Sequence, residues 1–426
     1  MNFEFLFGQD YLKAELPDDQ PVEVLSTREV PSLSDPEDAV RQAVESPIAS
    51  PPLKELARGK DRVCIIVCDH TRPAPTPVML RPILLALQAG GISPEKIDIL
   101  VATGLHRGSS LEEIAAFLGE DIASSYNIHN HDARDGSGQD TLPQGSCPAP
   151  VYVDKVLTRA DLKIATGLIE PHLTAGYSGG CKLVAPGVAG LETIRHLHGP
   201  SMMDDPRLGA GNTEGNPFLA LTRQVATSAG LDFIVNVTLN KQRKITGVFA
   251  GKPVPAHEEG IRFKDASGRA VLKEPVDIAI TCGGGAPLDK TLYQSVKGVC
   301  GAAPIVRPGG AILTASSCVE GVGSESYRRM LDEADSIDSF LERIYEPGFF
   351  EIDQWGIQQY FRVMQSKDIY FHTPEIPEET LSRYHFHPAG DFQAALTMLL
   401  EKYGPAPRVA VIPEGPYVVC SFESPA

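Results

Sequence analysis

The chain has 426 residues, 42% of them hydrophobic and 22% charged, a globular composition with room for two domains and unlike that of a disordered segment. Its net charge of -17 argues against a nucleic-acid partner, which needs basic surface, but is compatible with a small anion in a locally basic pocket. No apolar run reaches membrane-spanning length, the start MNFEFLFGQDYLKAELPDD lacks the pattern of a signal peptide, and the eight cysteines form no CxxC, so a reducing cytoplasm and no membrane partner are expected.

Residues 3–7 alternate as a short strand, and 11–16 as another. Within the proline-rich and acidic stretch 17–52, residues 36–46 read as a helix with Asp35 as N-cap, Pro36 at its first position and Pro47 ending it. An α/β unit follows. Residues 63–67 form a strand that delivers DHTRP at 69–73, and 78–89 form a helix stopped by Gly90-Gly91. Residues 97–102 form the next strand, which ends in TGLHRGSS and leads into a helix over 111–118. Cys64 and Cys68 share one face of the first strand and read as small core residues. The loop NIHNHDARDGSGQD, with its HxH at His129 and His131, reads as solvated and not as a metal site.

Residues 151–153 and 162–166 are further strands, and the second leads into GLIEPHLTAGYSGGCKLVAPG at 167–187. Glycines this dense let the backbone turn tightly and approach a ligand. Lys182 beside them fits either a solvated loop lysine or an amine that meets an anion or acts as a nucleophile. The segment is no Walker A, because Cys181 precedes Lys182 and Leu183 follows it. A helix from Leu191 carries His196 and His198, two apart and so on different faces, with His198 the better placed to meet a site. Asn216-Pro217 starts another helix, 231–239 and 245–249 form a hairpin, and the polar stretch 251–272 makes the boundary between the domains 1–270 and 271–426.

The second unit opens with a strand over 277–281 and a helix over 289–298, on which Tyr293 and Lys297 share a face with Gln294 beside them. A strand over 310–315, two helical pieces within 327–345, a strand over 368–371, a helix over 391–402 and a strand over 408–412 follow. Trp355, the one tryptophan, lies in DQWGIQQYF and reads as packing. The pattern is α/β throughout: two α/β domains with mainly parallel, doubly wound-like sheets and an active-site cleft between them. Three polar clusters, Asp69 to Arg72, His106-Arg107, and Glu170 to His172, fall at the carboxyl ends of strands, where such sheets bind ligands. Two histidines, an arginine fork and a lysine suit proton transfer on a small oxyacid. HExxH and a dinucleotide fingerprint are absent from the sequence.

In DHTRP at 69–73, GLHR at 104–107, PHLTAGYSGGCKLVAPG at 171–187, His198, EGNPF at 214–218, YQSVKG at 293–298 and DQWGIQ at 353–358, the chain resembles the nickel-dependent lactate racemase family and its 2-hydroxyacid racemase and epimerase relatives. The resemblance implies a nickel pincer nucleotide, a pyridinium mononucleotide whose thioamide is linked to a lysine matched by Lys182, in the loop of Ser178, Gly179 and Gly180. It implies His198 as nickel ligand, His106 and His172 as the catalytic pair, and Asp69 as the acidic residue of the first motif. Arg72, Tyr293, Gln294, Lys297 and Trp355 would bind substrate.

The implied reaction is interconversion of a short 2-hydroxy acid by hydride removal from C2 and return to the opposite face, with one histidine serving each enantiomer. Proteins that build the cofactor would be transient partners of a cytoplasmic monomer or dimer. The rival readings are a malate racemase or sugar-acid 2-epimerase, an NAD-dependent hydroxyacid dehydrogenase, and a non-catalytic anion-binding protein.

Overall fold

The computed structural model describes residues 1–145 and 147–423. Two six-stranded sheets dominate it, each sandwiched between apolar layers. The first runs Ile245–Gly251, Phe233–Leu239, Leu162–Leu168, Val63–Cys68, Ile97–Ala102, Asn127–Asn130, parallel except for the hairpin pair at one edge. Its central strand VCIIVC is buried along its whole length, as expected of a strand covered on both faces. Cutting Ile65 or Ile66 back to alanine would cost about 2–5 kcal/mol. Successive strands add outward on one side of Val63–Cys68, and then Leu162–Leu168 starts again on the other side. That reversal opens the crevice in which doubly wound sheets bind ligands.

The second sheet is all parallel and repeats the device, with Val276–Cys282 at its reversal between Val306–Ala315 and Val409–Val411. Its outermost strand on that side is Val22–Val24. The hairpin of Asn2–Phe7 and Asp10–Glu15 also packs here, seating Phe5, Ala14 and Leu16 against Ile278, Leu313 and Val409. The first 25 residues therefore pack on the second sheet, although the strands of the first sheet follow them in the chain. A three-residue strand surrounded by proline and acid carries too little periodicity to announce itself.

Local signals explain most element starts. Asp35 caps Pro36–Glu45 by accepting from Asp38 N at 3.0 Å, and Ser110 forms a capping box with Glu113 over Leu111–Leu118. Asn216 caps Pro217–Ser228. The stretch read as a polar boundary holds the helix Pro253–Gly268, which buries His257, Ile261 and Lys264 against the first unit. The HxH stretch is likewise no solvated loop. Asn127–Asn130 is a strand, His129 pairs with Asp98 at 2.8 Å, and His131 is buried. Cys64 and Cys68 are buried in one apolar cluster, and all eight cysteines are free thiols. Among the described residues no helix is long and apolar enough to cross a membrane.

Candidate active site

The three polar loops of the first unit meet at its winding reversal. Asp69 and Arg72 follow Val63–Cys68, His106 follows Ile97–Ala102, and Glu170 and His172 follow Leu162–Leu168. The second unit closes over them with Tyr293, Gln294 and Lys297 from the helix Leu292–Ala302 and with Trp355 from the helix Gln354–Met364. All of these line one cavity, together with Ser178, Gly179, Lys182 and His198. Gly180 does not line it. Its N–H donates to Asn236 Oδ1 at 2.6 Å, and a Cβ there would come within 2.6 Å of the His257 ring, so this glycine serves packing beneath the loop.

The two histidines are held in opposite ways. His106 Nδ1 lies 2.7 Å from Asp69 Oδ2. Burial works to raise the Asp69 pKa, but the hydrogen bonds from His106 and Thr71 and the charge of Arg72 outweigh it and hold the carboxyl below its ordinary value. An ionised Asp69 accepts the Nδ1 proton, so the lone pair of His106 sits on Nε2. His172 Nδ1 instead accepts from the backbone N–H groups of Thr174 at 3.2 Å and Ala175 at 3.3 Å. Its neutral ring therefore carries its proton on Nε2. Burial, followed by the charges of Lys182, Lys297 and Arg72, pushes its pKa well below 6.5.

Lys182 stands in the 3-10 turn Gly180–Leu183. Burial, then repulsion from Arg72, lowers its pKa to about 7, which leaves much of it as free amine at neutral pH. His198 ends the helix Leu191–Leu197 with Nδ1 3.1 Å from the Ile194 carbonyl oxygen. That carbonyl can only accept, so Nδ1 carries the proton and Nε2 is bare. Burial lowers its pKa to about 4, so the ring is neutral. Its ring packs 4.5 Å from Trp355 and 5.5 Å from Phe218. His196, two residues away, does not reach the cavity.

The remaining polar groups sort by charge. Arg72 Nη1 stands 3.9 Å from Glu170 Oε1, and Lys297 Nζ donates to Gln294 Oε1 at 2.7 Å. Burial, then the charge of Arg72, drives the Lys297 pKa well below its ordinary value. Trp355 Nε1 donates to Tyr293 OH at 2.8 Å, tying together the two helices of the second unit. Asp353, also in the cavity wall, is in the field of His106 and accepts from Ser324 Oγ at 2.6 Å.

Sequence reasoning missed three supporting residues. His131 Nδ1 meets Asp154 Oδ2 at 2.8 Å and its Nε2 donates to the Ala189 carbonyl at 2.9 Å. Because Gly104 N also donates to Gly187 O at 2.9 Å, the loop after Lys182 is fastened to the loop of His106. His257 Nε2 donates to the Ser178 carbonyl at 2.8 Å, holding the glycine loop from below. Asp353 was inside a quoted motif, but its position emerges only when the second unit folds over the first.

Residues 7–211 match the lactate racemase N-terminal domain and residues 271–420 the lactate racemase C-terminal domain. A lactate racemase of Thermoanaerobacterium thermosaccharolyticum is 34% identical over 426 residues, covering 98% of this chain and 99% of its own. One of Lactiplantibacillus plantarum is 36% identical over 382 residues, 89% of each chain. The structure of the lactate racemase apoprotein from T. thermosaccharolyticum superposes with a TM-score of 0.92 at 33% identity, over 99% of this chain and 100% of that one. A Thermotoga maritima protein shares the fold at a TM-score of 0.68 and 18% identity, over 92% of this chain and 99% of that one.

Proposed function

The chain belongs to the lactate racemase family, an isomerase family, and we propose that it interconverts the enantiomers of a short 2-hydroxy acid such as lactate with the help of a nickel pincer nucleotide. The observation that carries this reading is the convergence on one cavity of a carboxylate-binding pair, two proton-handling histidines, a desolvated amine and a bare imidazole nitrogen.

The side chains suit that cofactor. Lys182 offers a nucleophilic amine for the covalent link, and His198 offers Nε2, already oriented by its backbone bond, to nickel. Leu105, Leu183, Ile194 and Trp355 supply apolar wall for a flat ring. Ser178 and Gly179 would border it. What the bound cofactor supplies is reversible hydride acceptance from C2.

The rest is done by the protein's own residues. Arg72 and Lys297, one from each unit, receive the substrate carboxylate, and Tyr293, Gln294 and Trp355 shape the space around it. His106 Nε2 takes the hydroxyl proton of one enantiomer, with Asp69 stabilising the resulting imidazolium. His172 serves the other enantiomer. To act as a base the neutral ring must shift its proton from Nε2 to Nδ1, so the backbone N–H contacts at Nδ1 have to loosen for that half-reaction. Closure of the second unit excludes water from the keto intermediate.

Maturation proteins that assemble the cofactor would be transient partners, and the eight free thiols suit a reducing cytoplasm. Protein produced together with those maturation proteins should bring pure D- or L-lactate to an equal mixture, read by chiral chromatography. Failure to interconvert any 2-hydroxy acid, with the cofactor verified by mass, would defeat the proposal.

A further inference from the structure

One face of a single helix ties the second unit to the first beside the cavity. Trp355, Gln358, Gln359 and Arg362 stand at positions i, i+3, i+4 and i+7 of the helix Gln354–Met364, and so share a face. All four meet one short segment of the first unit. The Trp355 ring lies 4.5 Å from that of His198, Gln358 Nε2 donates to the Pro200 carbonyl at 3.0 Å, and Gln359 Nε2 donates to the Met203 carbonyl at 3.2 Å. Arg362 ends the row. Its Nε donates to Asp204 Oδ1 at 2.9 Å and its Nη2 to Asp204 Oδ2, a planar fork of two bonds. Tyr345 OH, also from the second unit, donates to the same Oδ2 at 2.7 Å.

The row begins inside the active cavity and ends outside it. Trp355 and Gln359 line the cavity, whereas Asp204 and Arg362 line the open groove next to it. Burial works to raise the Asp204 pKa, but the hydrogen bonds from Arg362 and Tyr345 outweigh it and keep the carboxyl ionised. On the first unit only Gly199 separates His198 from the turn Pro200–Met203, so whatever holds that turn also places His198.

We propose that Asp204 and Arg362 are positioning residues, a clasp that seats the helix Gln354–Met364 on residues 198–204 and thereby keeps the Trp355 ring against His198. Neither side chain reaches the cavity, so both act through Trp355, Gln359 and His198. For turnover the inference rests on the racemase reading above: a seated helix closes the cavity over the keto intermediate, and a loosened one lets it escape.

Trp355 is the one tryptophan of the chain, so intrinsic fluorescence reports on the clasp directly. Acrylamide quenching is measured on the full-length apoprotein in wild type, Asp204→Asn, Arg362→Gln, the double variant and Arg362→Lys. The pair is partly exposed and the substitutions keep size, so the fold is expected to survive, checked by far-ultraviolet circular dichroism. Each of the two neutralising variants should raise the quenching constant by about twofold, within what a partly exposed ion pair is worth. The double variant should be no worse than either single one, because both remove the same contact, and Arg362→Lys should fall between them and wild type. Unchanged quenching in the single variants, or additive effects in the double, would overturn the clasp. In cofactor-bearing enzyme, Asp204→Asn and Arg362→Gln should release more pyruvate per interconversion than wild type, trapped as its hydrazone, from both lactate enantiomers alike. Pyruvate escape at the wild-type level despite raised quenching would overturn the positioning role. Failure of the racemase reading looks different: wild type that leaves both enantiomers unchanged while the quenching differences remain.

Discussion

His106 Nδ1 lies 2.7 Å from Asp69 Oδ2, and the two residues leave the carboxyl ends of neighbouring parallel strands. The strand pairing thus sets the spacing of the dyad, and Asp69 selects the tautomer that bares Nε2. Asp69→Asn keeps the shape but offers its Nδ1 neighbour a mixed donor and acceptor. We expect interconversion to fall on the order of 10²–10³-fold, the worth of a correctly presented base, with little change in the far-ultraviolet circular dichroism. An undiminished rate would remove Asp69 from the mechanism.

Lys182 makes the apoprotein sensitive to pH. Its folded-state pKa of about 7 lies below the ordinary 10.5, so between those values the unfolded chain binds more protons than the folded one, and stability rises with pH across that window. Below about pH 7 both states are protonated and the burial penalty is complete. Lys182→Met should therefore raise the melting temperature of cofactor-free protein most at pH 6–7 and progressively less toward pH 10. A gain that grows with pH would contradict the assignment.

The same amine should be chemically distinctive. Intact mass of protein matured with the cofactor-building enzymes should exceed the apoprotein mass, and Lys182→Ala should remove the increment. Labelling of the apoprotein by an acylating reagent should show Lys182 reacting with a midpoint near pH 7, well below surface lysines. A fully active protein carrying an unmodified Lys182 would refute the covalent link.

On the proposed reading, nickel binding should separate two neighbouring histidines. His198→Ala should lose nickel in matured protein while keeping the fold, and His196→Ala should retain it, since only His198 reaches the cavity. Metal content by mass spectrometry decides the matter. Equal loss in both variants would mean that a different face of this segment meets the metal.

The strand-end loops were legible because each follows a strongly apolar strand and is punctuated by glycine or proline. Asp69, Arg72, His106 and His172 could be placed at strand ends from periodicity alone, and their common cavity follows from the winding reversal. Lys182 and His198 lie within loops and helix ends, and their roles came from resemblance. Val22–Val24 and the burial of His131 and His257 left no trace in local pattern. Each depends on a partner far along the chain: Val409–Val411 for the strand, Asp154 and Ala189 for His131, Ser178 for His257. A histidine one residue from a charged loop looks the same on paper whether it is solvated or clamped, and only tertiary burial separates the two.

The final prediction turns on the unequal resting states of the two histidines. His106 presents a lone pair and His172 presents an N–H, because one Nδ1 faces a carboxylate and the other faces backbone donors. If they serve opposite faces of C2, each single alanine variant should lose overall interconversion by about 10²–10⁴-fold. Each should still convert one lactate enantiomer to pyruvate in a single turnover, trapped as its hydrazone, and the two variants should favour opposite enantiomers. Arg72→Lys should behave differently, weakening both enantiomers alike, since a point charge replaces a planar fork while both proton carriers remain. Stopped single turnovers with each enantiomer read these differences directly. Equal pyruvate from both enantiomers in both variants would show that a single base, or water, serves both faces.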